Sequence, residues 1–138
     1  MKDTILVQKW SEDALSMGWV SFPSSLLFLQ KSFGLSSNGL NVLLHLIMHW
    51  WNPNDDPYPS QETIAKRMGV SKRTVQRAMH ELEENGLVEK RTTSRENPKY
   101  RGRNVYSLRP LATALEFETP KLKGKIKHYK DDSNIYGA

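Results

Sequence analysis

The chain has 138 residues, 38% of them apolar, no cysteine and a formal net charge of +5. That length supports one compact domain with short flanking segments and leaves no room for a second domain of ordinary size. Without cysteine there is no disulfide, iron–sulfur cluster, thiolate zinc site or cysteine nucleophile. No apolar run approaches the roughly 18 residues of a membrane span, and the N-terminus lacks the basic-then-apolar order of a signal peptide, so a cytoplasmic protein is expected.

Residues 1–21 read as an N-terminal extension, with a short apolar cluster at Ile5, Leu6 and Val7. Met17, Trp19, Val20 and Phe22 suit a short strand before Pro23. From Pro23, a residue suited to the first turn of a helix, Leu26, Leu27, Leu29 and Phe33 recur at helical spacing as far as Gly34. The stretch from Leu40 to Trp51 is the most apolar in the chain, follows the potential caps Ser36, Ser37 and Asn38, and is expected to be a buried core helix. Adjacent Trp50 and Trp51 would point about 100° apart on it, so one of them is available for an interface. The loop that follows, residues 52–59, holds three prolines and two acids and can be neither helix nor central strand.

Ser60 then caps a helix of about eight residues whose inward face is Ile64, Ala65 and Met68 and whose stop is Gly69. Ser71 caps a second helix, on which Val75, Ala78, Met79 and Leu82 fall at i, i+3, i+4 and i+7 before Gly86 ends it. Two short helices joined by a tight glycine turn are the sequence form of a helix-turn-helix. Leu87–Thr92 and Asn104–Leu108 read as two strands of a hairpin with a basic tip between them. The expected fold is mainly α with a small β-hairpin, a winged helix-turn-helix over residues 22–118. A last helix carries Leu111, Ala114, Leu115 and Phe117 on one face, packed on its own domain or on a second copy. Residues 119–138, with lysines at 121, 123, 125, 127 and 130, are expected to form a flexible basic tail.

Charge is concentrated on this unit. Residues 66–109 hold 12 Lys and Arg against 5 Glu, while the rest of the chain is slightly acidic. On the second helix the bases gather at the N-terminus and Glu81, Glu83 and Glu84 at the C-terminus, an order that opposes the helix dipole. A locally unfavourable order that aims cationic side chains outward suits insertion of the helix into a DNA major groove. The expected DNA contacts are Ser60, Gln61 and Thr63 at the first helix, Ser71, Lys72, Arg73, Thr74, Gln76, Arg77 and His80 on the second, and Arg95, Lys99, Arg101 and Arg103 on the wing. Arg73 suits guanine and Gln76 adenine, Arg77 suits phosphate, and the wing suits a minor groove or backbone.

The run Pro59-Ser60-Gln61-Glu62-Thr63-Ile64-Ala65, with Met68-Gly69-Val70-Ser71-Lys72-Arg73-Thr74-Val75-Gln76-Arg77-Ala78 and Leu82-Glu83-Glu84-Asn85-Gly86-Leu87-Val88, resembles the winged helix-turn-helix of GntR-like and replication-initiator-like bacterial families. The resemblance extends over roughly 90 residues to small winged-helix modules of plasmids and phages. It implies that positions Ser71 to Arg77 contact double-stranded DNA, and that Gly69 and Gly86 hold the fold. The effector-binding domain of GntR regulators has no counterpart here, so no small-molecule ligand is expected.

Other readings remain at this stage. His45 and His49 are four apart, like half of a zinc site, but no third ligand is apparent, and neither metal nor cofactor is expected. Asp55, Asp56 and Glu62 would be the carboxylates of a nuclease, yet no base is positioned beside them, and no catalytic residue is assigned. The expectation is a non-enzymatic, sequence-specific DNA-binding repressor of a bacterial mobile element, with a homodimer as one option for its assembly. The alternatives are a plasmid or phage replication, partition or maintenance protein acting on repeated sites, and a winged helix that binds only protein.

Overall fold

The computed structural model describes residues 4–129, with side chains as far as residue 125. Six helices and one hairpin follow in the order α1 (Thr4–Trp10), α2 (Ser25–Phe28), α3 (Ser37–Met48), α4 (Gln61–Met68), α5 (Lys72–Glu84), β1 (Glu89–Arg91), β2 (Val105–Ser107) and α6 (Arg109–Tyr129). No helix among the described residues is long and apolar enough to cross a membrane. The core joins Leu26 and Leu29 to Val42, Leu43 and Leu46 of α3, Ile64 and Ala65 of α4, the α5 face, Tyr106 and Leu108, and Leu111 and Leu115 of α6.

Helix α3 is the central packing element, as its composition predicts. Ser36 caps it by accepting from the Gly39 N–H, and the helix stops at Met48, before the two tryptophans. The next loop is irregular, but it is tied to the hairpin by the Tyr106 N–H, which donates to the Pro57 carbonyl at 2.9 Å. The proline segment therefore meets the outer edge of β2 at Tyr106. β1 and β2 are antiparallel, with Lys90 opposite Tyr106. All three β1 residues are exposed, whereas Val105 and Tyr106 of β2 are buried.

Several local expectations are corrected. Residues 17–22 form no strand; 17–21 are exposed and Phe22 packs against the core. The helix expected from Pro23 to Gly34 is α only at Ser25–Phe28 and continues as turns to Gly34, whose φ is +68°. Leu26 and Leu29 are buried and Phe33 packs against the core, at i, i+3 and i+7, while Leu27 and Phe28 are exposed, so one face of the segment meets the core and Leu27 is not on it.

The last helix does not end near residue 118 in a flexible tail but runs to Tyr129 with Pro120 inside it. Pro120 lacks the N–H that would bond the Glu116 carbonyl, so the helix loses one of its internal hydrogen bonds there. The helix continues because Leu122, seven residues beyond Leu115, returns to the face that Leu111 and Leu115 bury, and packs against the core. Phe117, expected on that face, is 65% exposed. The remainder of the expected tail, with Lys130, lies outside the described residues.

The N-terminal extension contains α1, a helix with no buried residue.

Candidate nucleic-acid interface

Two serines set the geometry of the helix pair in the same way. Ser60 Oγ accepts from the Thr63 N–H at 3.1 Å, and Ser71 Oγ accepts from the Thr74 N–H at 3.1 Å. The threonine hydroxyls join the caps, Thr63 at 2.7 Å from Ser60 and Thr74 at 3.0 Å from Ser71. All four hydroxyls are thus occupied in capping, and what α4 and α5 still offer at their N-termini is backbone N–H groups, a favourable environment for phosphate. Between the helices Gly69 takes φ +71°, a left-handed conformation that no β-carbon favours, and the chain turns at once into the second cap.

Helix α5 divides as its periodicity requires. Val75, Ala78, Met79 and Leu82 are buried, while Lys72, Arg73, Gln76, Arg77 and His80 are exposed. Arg73 and Arg77 form no ion pair among the described residues. Lys72 lies 3.8 Å from Glu62 across the turn, and His80 is 2.8 Å from Glu84 on its own helix. Arg73, Gln76 and Arg77 are therefore the uncommitted groups of this face, and His80 is diverted from it. Gln61 is also diverted, since its Nε2 donates to the Tyr106 hydroxyl at 3.2 Å and braces α4 against β2.

The acidic end of α5 has structural work that the linear charge order concealed. Glu81 Oε2 accepts from the backbone N–H and the hydroxyl of Ser36, both at 3.1 Å, so this carboxylate sits at the N-terminus of α3. A charge unfavourable to its own helix is thus favourable to the neighbouring one. Glu83 lies 3.9 Å from Lys90 of β1, and the Asn85 side chain donates to the Gly34 carbonyl at 3.1 Å. Neither Glu81 nor Asn85 is marked in the sequence by more than a wrong-signed dipole and a helix end.

The wing is organised around Tyr100, which the sequence did not single out. Its ring meets Tyr58 edge-on at 4.9 Å, and Arg91 and Lys99 approach it at 5.8 and 5.2 Å. Asn97 Oδ1 accepts from the N–H groups of Lys99 and Tyr100, both at 2.9 Å, and the Thr93 hydroxyl closes the base by donating to the Arg103 carbonyl at 2.7 Å. Lys99 also reaches Asp55 at 2.9 Å, and that hydrogen bond raises its pKa above the ordinary lysine value. Arg91 lies 3.8 Å from Asp56. Of the expected wing contacts, Lys99 is already matched by a carboxylate, while Arg95, Arg101 and Arg103 are exposed and without an ion pair among the described residues. Arg101 holds φ +51°, so the wing tip carries a strained residue next to Gly102.

The two histidines of α3 do not converge. His45 Nδ1 lies 2.8 Å from the Asn41 carbonyl, and His49 Nε2 lies 3.1 Å from Arg67 of α4. Burial first, then the Arg67 and His45 charges, lowers the His49 pKa. Asp55, Asp56 and Glu62, the carboxylates a nuclease would need, face Lys99, Arg91 and Lys72.

A family model described as a helix-turn-helix domain matches residues 34–88, from the turn before α3 to the residue before β1. Among solved structures, the N-terminal domain of the DnaD protein from Geobacillus kaustophilus HTA426 is similar with a TM-score of 0.54 at 21% identity, over 95% of this chain and 99% of that one. The transcriptional regulator PA3341 gives 0.45 at 25% identity, over 96% and 82%. MepR of S. aureus, in its DNA complex, gives 0.46 at 14% identity, over 94% and 95%. No curated protein matches the sequence. The DnaD likeness is one of fold. Residues 34–88 match a helix-turn-helix domain, and with the β1–β2 hairpin attached to it the molecule has a winged helix-turn-helix fold.

Proposed function

We propose that this protein binds double-stranded DNA sequence-specifically, as a non-catalytic transcriptional repressor of a bacterial mobile element. The observation that carries the proposal is the exposed face of α5, where Arg73, Gln76 and Arg77 stand opposite the buried Val75, Ala78, Met79 and Leu82 with no ion pair on either arginine among the described residues. Leaving these cations unmatched while Lys72, Lys90, Arg91 and Lys99 nearby each find a carboxylate favours a surface whose counter-charge comes from a partner, and DNA supplies it along its whole backbone. Arg73 and Gln76 would read base edges in the major groove. Arg77, the amides at the starts of α4 and α5, and Arg95, Arg101 and Arg103 would take phosphate or minor groove.

The unit that binds is a dimer in this reading. A single winged helix buries limited surface, and two copies would place recognition helices on half-sites about one turn apart. An apolar groove of about 650 Å³ supports it, lined by Trp19, Phe22, Ile47, Trp50, Leu111 and Leu115. Trp19, which is 55% exposed, stands at its rim.

Selection of bound duplexes from a random pool, at two salt concentrations, tests the reading. A palindromic consensus with salt-dependent affinity is the expected result. Short tandem half-sites would replace the repressor by a replication or partition protein on repeated sites. No enrichment and no salt-dependent binding would leave a protein-interaction module.

A further inference from the structure

Trp51 is the most exposed of the four tryptophans, at 84%, and nothing in the duplex-binding face uses it. It follows the end of α3 and lines a slot of about 200 Å³ with His49, Tyr58, Pro59 and Arg103. The His49 ring lies 5.9 Å from the indole at an angle of 51°, and Arg67 approaches His49 from α4 at 3.1 Å. The slot therefore lies between the base of the wing, through Arg103, and Pro59, which precedes the cap of α4. None of its lining residues is acidic. The two acids of the adjoining loop, Asp55 and Asp56, are matched by Lys99 and Arg91, whereas Arg103 forms no ion pair among the described residues.

An intact duplex hides the faces of its bases in the stack and presents only edges and backbone. A flat indole held in water beside unmatched guanidinium groups has little to gain from such a surface. An unpaired nucleotide offers both complements at once, a π face for the ring and a phosphate for the arginines. We infer that Trp51, with His49 and Tyr58, forms a stacking slot for an unpaired base of single-stranded DNA, and that Arg67 and Arg103 hold its flanking phosphates. The inference rests on the proposed DNA reading and shares Arg103 with it, but its stacking residues lie outside the duplex-binding set, and it assigns the protein a hold on opened DNA in addition to duplex.

The test is fluorescence anisotropy with a labelled oligothymidylate of about 15 nucleotides and, separately, a labelled duplex carrying the selected site. The full-length chain is compared with W51A, W51F, W51L and R73A. Trp51 is exposed, so its replacement leaves the core intact. The expected result is that W51A weakens oligothymidylate binding about 5- to 100-fold without changing duplex binding, that W51F recovers most of the loss, and that W51L does not. R73A is expected to do the reverse, lowering duplex affinity and sparing the oligothymidylate. The inference is overturned if the unaltered chain does not bind oligothymidylate, if W51A binds it normally, if W51A loses both ligands equally, or if W51L rescues as well as W51F. Loss of duplex binding alone in the unaltered chain would overturn the repressor reading and leave the slot standing.

Discussion

Arg73 and Arg101 are both exposed arginines without an ion pair among the described residues, yet they are expected to differ in what they do to binding. Arg73 lies in the first turn of α5, where a bidentate contact with a guanine edge is within the reach of a groove-inserted helix. Arg73→Ala should cost about 1–3 kcal/mol on the selected site and relax base choice at one position, read by titrating a panel of single-base variants of that site. An equal loss on every variant would make Arg73 a phosphate contact. Arg101 sits at the wing tip with a left-handed backbone. Arg101→Ala keeps that strain and removes the charge, so affinity should fall on all sequences and the slope of log K against log salt should become shallower by about 1. A change in sequence preference instead would show that the wing reads bases. These roles follow from residue type and exposure, which were legible in the sequence. That Gln61, His80 and Lys99 have protein partners was not, because Tyr106 and Asp55 are 45 and 44 residues away from Gln61 and Lys99, and the Glu84 partner of His80 read only as helix-end charge.

Between elements, the contact that positions α5 is the one from Glu81 to the start of α3. Gly39 is part of it, because a β-carbon there would collide with the Glu81 carboxylate. Glu81→Ala should lower stability by about 1.5–3 kcal/mol, the range for a hydrogen bond to a charged group, measured by urea unfolding. Gly39→Ala in the natural background displaces the carboxylate from Ser36 and should also destabilise. In the Glu81→Ala background it should stabilise by up to about 1 kcal/mol, since the better helix former is then unopposed. The same sign for Gly39→Ala in both backgrounds would refute the coupling. A second link between helices joins His49 on α3's C-terminal side to Arg67 of α4. Burial and the Arg67 charge hold the folded His49 pKa below the ordinary 6.5. The stability this contributes is complete above that unfolded value and is lost as pH falls through 6.5 toward the lower folded one. The urea midpoint should therefore drop on acidification from pH 7.5 to about 5, and His49→Gln should flatten that drop. An identical pH dependence in the variant would assign it to other groups.

At the scale of the molecule, the fold leaves uncovered an apolar groove between the N-terminal segment, the end of α3 and α6. If a second copy covers it, Trp19→Glu, at an exposed residue of the groove, should convert a dimer to a monomer in analytical ultracentrifugation and weaken binding to a two-half-site duplex far more than to a single half-site. A monomer before substitution would remove the dimer from the proposal. The sequence by itself determined the helix-turn-helix, because its signals are local: serine caps three residues from their threonines, glycines where the backbone turns left-handed, and an apolar stripe of period 3.6 with cations opposite. It determined the hairpin for the same reason, through two short apolar runs and a turn-rich basic stretch between them. Only the tertiary structure decided what depends on distant partners. Helix α6 passes through Pro120 because Leu122 finds the core on the other side of it, and residues 17–22 are not a strand because no strand lies beside them to share hydrogen bonds. Glu81 is bound by a helix end 45 residues away, where the dipole that opposes it in α5 is reversed. Periodicity and capping are written within a few residues of one another, whereas packing, ion pairing and the closing of a slot around Trp51 are set by neighbours that only folding brings together.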